Sequence, residues 1–469
     1  LLQDALTTSV FQLESDGIKR YLKELKPTNF EDITAMVALY RPGPMQFIPD
    51  YIERKHGKQK IEYLDAKLEP ILKDTYGICI YQEQLMKIAQ EVCGFTLGEA
   101  DVLRKAIGKK IIELLHAQET KFIEGAVKNG ASEKIGEKLW QWILPFAAYG
   151  FNKSHSAAYA TIAYQTAYLK AHWPVEFMAS VLTSERADVE RISFLIDECQ
   201  KMDVEVLPPN INESLKNFTV VPDKNQIRFG LLAIKNVGVN IIDAIVEEKK
   251  ANGSFKSIGD FIHRVKSKDL NKKSMEALIK AGAFDQFAER NQLLQNLEKM
   301  LEIARENNKK QNTNQMGLFA NADVKITSDI KLEPATPASN FERLGWEKEL
   351  LGLYVSSHPL NDFKKLFETK TTAIAKIDAS FVNKKIIVGG LISFVKKIIT
   401  KNGKPMLFLK LEDLTGKTEV VIFPNLLERN PVALQENKIV FVSGRVDDRG
   451  GEIKIVADDA QEILVPKEA

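Results

Sequence analysis

Apolar residues recur at helical spacing through roughly the first two hundred positions, broken by short polar turns, with "RPGP" at 41–44 as the sharpest break. "TLGEADVLRKAIGKK" opens with Thr96 and Glu99 three residues apart, the pattern of a reciprocal N-terminal cap, and predicts a helix that Gly108 ends. "AYATIAYQTAYLKAHW" predicts a buried or half-buried helix ending at Pro174, because proline disfavours helix in the residue before it. Past "VLPPNIN" at 206–212 the text changes, and "IRFGLLAIKNVGVNIIDAIVEEKKANGSF" with "LNKKSMEALIKAGAFDQF" predicts a smaller helical domain over 207–304. Residues 305–340 are polar and without period, which predicts a flexible linker. "ERLGWEKELLGLYVSSHPL" then predicts a helical connector over 341–379. From 380 to 469 the period turns toward two, in "KKIIVGGLISFVKKIIT", "KPMLFLKLEDLTGKTEVVIF" and "KIVFVSGRVDDRGGEIKIVADDAQEI". These are strands split by glycine turns, in a segment the size of one small barrel.

The totals narrow the class. A chain of 469 residues, 44% hydrophobic, can bury more than one core. Its net charge is only +2, so any contact with nucleic acid must come from local basic patches. Cys79, Cys93 and Cys199 are odd in number and lack CxxC spacing, which argues against a disulfide framework or a structural zinc and suits a reducing cytoplasm. No apolar run approaches the length of a membrane span. The start, "LLQDALTTSVF", has neither an initiator Met nor a signal-type pattern and reads as part of something longer.

Candidate chemistry begins at "GFNKSHSAAYA", residues 150–160, where Ser154 or Ser156 is the expected N-cap of the alanine-rich helix. Helix starts usually hold an acid, yet this first turn holds Ser and Ala beside Lys153 and His155. A phosphate from outside is one way to supply the missing charge, and a solvated Lys with a hydrogen-bonded His is the ordinary alternative. "LRKAIGKK" adds Arg104, Lys105, Lys109 and Lys110, with Asp101 placed to pair with Lys105. Arg41 on the rigid "RPGP" turn suits bidentate phosphate binding. Cations on three separate elements make a candidate triphosphate cradle. Arg104 and His155 are therefore expected on one concave face, with Lys105 and Lys153 near it.

Three other stretches carry binding chemistry. "AIKNVGVNIIDAI" resembles a helix-hairpin-helix, in which Lys235, Val237 and Gly238 would meet a DNA phosphate and Asn236 takes the left-handed position. "QMGLF" sets Leu318 and Phe319, led by Gln315, in an otherwise polar linker, as docking peptides do. "FVKKIITKNGKPMLF" supplies Lys396, Lys397, Lys401 and Lys404 for a single strand, while alternation directs Phe394 and Phe408 toward the barrel core. Catalysis has no matching signal. There is no D-x-D, no phosphate-binding G-x-x-x-x-G-K-[ST] loop, no G-x-S-x-G and no H-E-x-x-H.

Together, "TTSVFQLES", "ALYRPGP", "TYGICIYQEQLM", "LRKAIGKK", "YGFNKSHSAAYA" and "LGLYVSSHPL" resemble the alpha subunit of bacterial DNA polymerase III, over essentially the whole chain. The resemblance implies a multidomain, mainly α-helical architecture: fingers over 1–206, a clamp-binding domain with its hairpin over 207–304, a clamp peptide in the 305–340 linker, and a C-terminal five-stranded OB-fold barrel over 380–469. It implies template-directed DNA synthesis, with Arg104, Lys105 and His155 toward the incoming dNTP and with Lys153 and Arg41 in the same motifs. Lys105 is a point charge where the family implies arginine's planar fork. The Mg2+-binding aspartates would precede Leu1, in a palm that this chain lacks, so the fragment alone is expected to be inactive. Implied partners are primer-template DNA, dNTPs, the sliding clamp, and the clamp-loader and proofreading subunits. The rival reading is a non-catalytic helix-hairpin-helix plus OB-fold scaffold in DNA repair.

Overall fold

The computed structural model describes residues 1–109, 112–312, 330–400, 402–449 and 453–463, with backbone only at 107–109, 112–114, 145–149 and 307–312. It divides into two units, Leu1–Val181 with Lys201–Val204, and Leu182–Gln200 with Glu205–Ala469.

The first unit is helical. Helix Phe30–Leu39 starts on a reciprocal cap between Asn29 and Asp32, and buried Asp32 also holds Lys55 and the Tyr51 hydroxyl. The helices Gln82–Glu91, Leu97–Lys109, Ile112–Lys128 and Glu133–Tyr149 close over a core containing Leu103, Phe122, Leu139 and Trp140. The Thr96–Glu99 cap forms as the spacing predicts: Glu99 N–H donates to Thr96 Oγ1 at 3.3 Å and Thr96 N–H to Glu99 Oε2 at 2.8 Å. Gly108 does not end that helix, which runs on to Lys109. A helix-interior glycine costs only about 1 kcal/mol against alanine, less than the burial of Leu103 and Ala106 returns. The Lys153–His172 helix buries Ser156, Ala160, Ala163 and Ala167, small residues that let it lie close against helix Phe30–Leu39. Lys170, on the same face, donates to Leu6 O at 3.0 Å and Thr8 O at 2.9 Å. It thereby holds the first stretch, where Ala5, Ser9 and Gln12 all have positive φ.

In the second unit, Leu182–Gln200 is followed by a small sheet that a period of two does not reveal. Strands β1 (Glu205–Leu207), β2 (Thr219–Val220) and β3 (Gln226–Arg228) pair in the order β1-β3-β2, and each is too short for a period of two to register. Helices follow from Val239 to Asn312, so the last of them runs through the expected linker start at 305. Residues on the far side are also held: Glu333 N–H donates to Asn296 Oδ1 and Ala338 N–H to Glu289 Oε1, both at 2.9 Å. Within the expected 305–340 linker, residues 305–312 are thus helical, and Glu333 and Ala338 are hydrogen-bonded to side chains of the preceding domain.

The barrel is as expected in strand number. β4 (Lys385–Ile399), β5 (Pro405–Glu412), β6 (Lys417–Ile422), β7 (Ile439–Asp447) and β8 (Lys454–Glu462) close in the order β4-β5-β6-β8-β7, with β6 and β8 parallel. Val388, Leu409, Leu411, Val420, Val440 and Ile455 fill the interior. β4 pairs with β7 over Lys385–Leu391 and with β5 over Leu391–Ile399, and at Gly390, near the changeover, an added Cβ would come 2.4 Å from Glu412 O.

Candidate nucleotide and nucleic-acid sites

Gln82, at the start of helix Gln82–Glu91, joins two of the predicted motifs. Its N–H donates to Phe151 O at 2.9 Å, its Nε2 to Gly150 O at 3.0 Å, and its Oε1 accepts from Arg104 Nη1 at 3.3 Å. Phe151 carries the Arg41 guanidinium 4.2 Å from its ring centroid and the His155 ring edge-on at 5.3 Å. Arg104, Arg41 and His155 thus gather around Gln82 and Phe151. The His155 ring continues into Tyr159 at 4.3 Å, and Tyr159 into Phe11 at 5.2 Å. Lys153 sits beside them, its Nζ 5.5 Å from the Tyr81 ring centroid and 3.7 Å from Glu31. Asp101 holds Arg104 and Lys105 together, at 2.7 Å from each. Burial pulls the Arg41 guanidinium below its ordinary value, and its Nε donates to Ala38 O at 2.7 Å.

The helix start itself is built differently from the expectation. Asn152, not Ser154 or Ser156, is the N-cap, accepting from His155 N–H at 2.9 Å. Ser156 is buried, and its hydroxyl donates to Thr34 O, so it is occupied inside the fold. The missing acid comes from another element: Glu83 accepts the Lys153 N–H on both carboxylate oxygens, at 3.1 and 3.0 Å. A phosphate is therefore not needed to neutralise that helix end. Any anion would meet the side-chain cations instead. Gln82 and Glu83 were not singled out from sequence, although both lie inside "TYGICIYQEQLM".

The hairpin turn in the second unit has the expected backbone. Asn236 has φ 68°, the left-handed conformation that asparagine tolerates. Gly238 caps the Val239–Asn252 helix with no side-chain cap bond and no acid in the first turn. Nothing lies within 4 Å of where its Cβ would be, so Gly238 itself borders open space. Lys235 is exposed and Val237 buried, which gives the lysine to solvent and the valine to the fold.

On the barrel, the expected direction of the two phenylalanines is wrong. A register shift between Ile392 and Phe394 reverses the phase of β4, leaving Phe394 45% exposed. In β5 the inward set is Leu407, Leu409 and Leu411, so half-buried Phe408 points outward with Lys410. Both faces of residues 406–409 are apolar, and alternation alone leaves the phase open. Phe394 pairs across from Lys410, and Lys396 from Phe408. The outer face of β4–β5 thus interleaves two aromatic rings with two lysines. Lys397 and Lys404 are also exposed, Lys404 with Glu428 at 3.3 Å. Lys110, Lys401, Gln315, Leu318 and Phe319 lie outside the described residues, as does the Lys109 side chain.

Among the described residues no group of three His, Cys, Asp or Glu could hold a metal ion. Nor is any described helix long and apolar enough to cross a membrane. The three cysteines are free and buried, and burial pushes the Cys79 and Cys93 thiols up to about 12.

Residues 1–130 match the bacterial DNA polymerase III alpha subunit finger domain, 203–293 a helix-hairpin-helix motif, and 386–463 an OB-fold nucleic acid binding domain. That order defines the class, a multidomain chain with a polymerase fingers domain followed by two nucleic-acid-binding folds. DNA polymerase III subunit alpha of Aquifex aeolicus is 43% identical over 470 residues, covering 100% of this chain and 39% of that protein. The Thermus aquaticus subunit is 41% identical over 97% of this chain and 38% of its own length, and that of Escherichia coli (strain K12) 40% over 99% and 41%. The chain belongs to the bacterial DNA polymerase III alpha subunit family, and it spans about two fifths of the length of these relatives.

Proposed function

We propose that this chain is the fingers, hairpin and barrel portion of a replicative DNA-directed DNA polymerase. The observation that carries the reading is the gathering of Arg104, Arg41 and His155 around Gln82 and Phe151, with Lys105 and Lys153 beside them; of these, Arg41, Gln82, Arg104 and Lys105 lie within the stretch that matches the fingers domain. The arginines take the triphosphate of an incoming dNTP. Asp101 holds Arg104 and Lys105 extended until a phosphate replaces it. The open hairpin end at Lys235–Gly238 meets a backbone phosphate of the primer-template duplex. The outer face of β4–β5 takes the single-stranded template, with lysines on phosphates and Phe394 and Phe408 beneath bases. Gln315, Leu318 and Phe319 dock on the sliding clamp, and clamp-loader and proofreading subunits complete the cytoplasmic assembly. Mg2+ and its carboxylates belong to parts of the polymerase outside this chain, which alone does not synthesise DNA. The fingers match supports this reading over a repair scaffold, which needs only the hairpin and the barrel.

Arg104→Ala is expected to weaken dNTP binding to this chain about ten-fold or more, since a charge-assisted hydrogen bond is worth about 1.5–3 kcal/mol. Isothermal titration with a dNTP and with tripolyphosphate checks it. Equal affinities in wild type and variant would remove Arg104 from the site. For the barrel, Phe394→Ala is expected to cost about 1–3 kcal/mol of single-strand affinity, the worth of one stacked base. Lysine substitutions on the same face are expected to flatten the salt dependence instead. An unchanged single-strand affinity in Phe394→Ala would leave the barrel with electrostatic contact only.

A further inference from the structure

The second unit contains an ion pair that none of the proposed binding contacts uses. Glu347, in helix Asn340–Leu351, is 1% exposed, and its Oε1 lies 3.1 Å from Nη2 of Arg290, which is 2% exposed. Arg290 is fixed on its own side by Asp285, at 2.9 and 2.7 Å, and by Lys280 O at 3.0 Å. The other oxygen of Glu347 accepts from Val355 N–H at 3.0 Å, Ser356 N–H at 2.9 Å and Ser356 Oγ at 3.1 Å. One carboxylate therefore ties the hairpin domain to the "LYVSSHPL" segment through four directed bonds.

Both ends of this clasp lead to a candidate nucleic-acid surface. Leu350 O, one turn further along the same helix, accepts the N–H of Lys235 in the hairpin at 3.0 Å. Two residues beyond Ser356, His358 Nδ1 accepts from Leu360 N–H at 3.2 Å, so Nε2 carries the proton toward Glu412 Oε1 at 3.4 Å. Glu412 ends β5, the strand that presents Phe408 and Lys410, and it pairs with Lys417 of β6 at 3.4 Å. A buried ion pair brings little net stability over a well-packed apolar pair. Its directed bonds instead set an angle and an offset.

We infer that Glu347 is a positioning residue that holds the hairpin and the outer barrel face at a fixed offset, so that one nucleic-acid molecule engages both. This rests on the reading of those two surfaces given above. Two sites that engage one ligand together bind it more tightly than either does alone, provided their spacing is held.

The test compares three probes on the full chain: a blunt duplex, a single strand, and the same duplex with a single-stranded 5′ overhang. Wild type is expected to bind the overhang duplex at least about ten-fold more tightly than either simpler probe. Glu347→Gln keeps the shape but sets an amide donor against either Arg290 or the Val355 and Ser356 N–H groups. It is expected to lose most of that gain while its affinities for the two simpler probes stay within about two-fold of wild type. Retention of the full gain by Glu347→Gln overturns the inference. So does an equal loss on all three probes, which makes the residue merely structural. If wild type gains nothing from the overhang, the joint engagement itself falls, and if it binds neither simpler probe, the underlying reading of the two surfaces falls first. Should Glu347→Gln fail to unfold cooperatively, Ser356→Ala, which removes only the hydroxyl from the clasp, decides: a smaller loss confined to the overhang probe supports the inference, and no such loss overturns it.

Discussion

Trp140→Ala is expected to lower the unfolding free energy of the first unit by about 3–5 kcal/mol, the range for removing a buried aromatic ring. Trp140 is 2% exposed, and its ring lies 5.4 Å from that of Phe122, which in turn meets Phe95 edge-on at 6.1 Å. Leu103 and Leu139 close the same cluster, so neither neighbour is free to collapse into the space left behind. The consequence reaches the site through geometry. Helices Gln82–Glu91 and Leu97–Lys109 both pack on this core, and the 3.3 Å contact between Arg104 and Gln82 depends on their spacing. Trp140→Phe, which keeps most of the apolar volume, is expected to lose far less stability and to keep dNTP affinity. Denaturant unfolding of both variants checks the pair, and a loss below about 1.5 kcal/mol for the alanine variant would mean that the cluster relaxes around the gap.

How much of this was legible in the sequence differs by element, for physical reasons. The barrel was readable because five strands each bury one face, and the long helices because their apolar stripes repeat over several turns. The three-stranded sheet at 205–228 was not, since strands of two or three residues have no period. Phe394 was assigned to the wrong face because a bulge adds one residue and inverts every later side chain, an event without a sequence mark here. At the candidate site the cationic residues were visible as residue types, and Asn236 as the left-handed position of the hairpin. What neutralises the helix start at Lys153 was not visible, because Glu83 comes from seventy residues away in the chain. Nor does sequence show that Gln82 is the group joining Arg104 to Gly150 and Phe151. The Thr96–Glu99 cap follows from local spacing, whereas the Asn152 cap did not. Long-range acceptors follow only from packing.

Replacing Leu318 and Phe319 together by alanine is expected to weaken binding of the chain to a sliding clamp by at least about a hundred-fold. Apolar anchors at the centre of an interface cost about 2 kcal/mol or more each when truncated, and every 1.4 kcal/mol is ten-fold. "NNKKQNTNQMGLFANADVK" offers Met316, Leu318 and Phe319 as large apolar side chains in an otherwise polar text, the composition of a docking peptide. Before them the helix Leu297–Asn312 is packed on its domain, and after them Glu333 is hydrogen-bonded to Asn296. A peptide tethered at both ends loses less freedom on docking than a free tail, which favours a short motif of one amide and two apolar anchors. Gln315→Ala is expected to cost less, about 1 kcal/mol, because it removes one hydrogen bond and little apolar area. Surface plasmon resonance against purified clamp measures both variants, with blunt-duplex affinity as the control for folding. A double variant that still binds the clamp as wild type does places the docking peptide elsewhere, while a parallel loss of duplex binding would locate the damage in the fold.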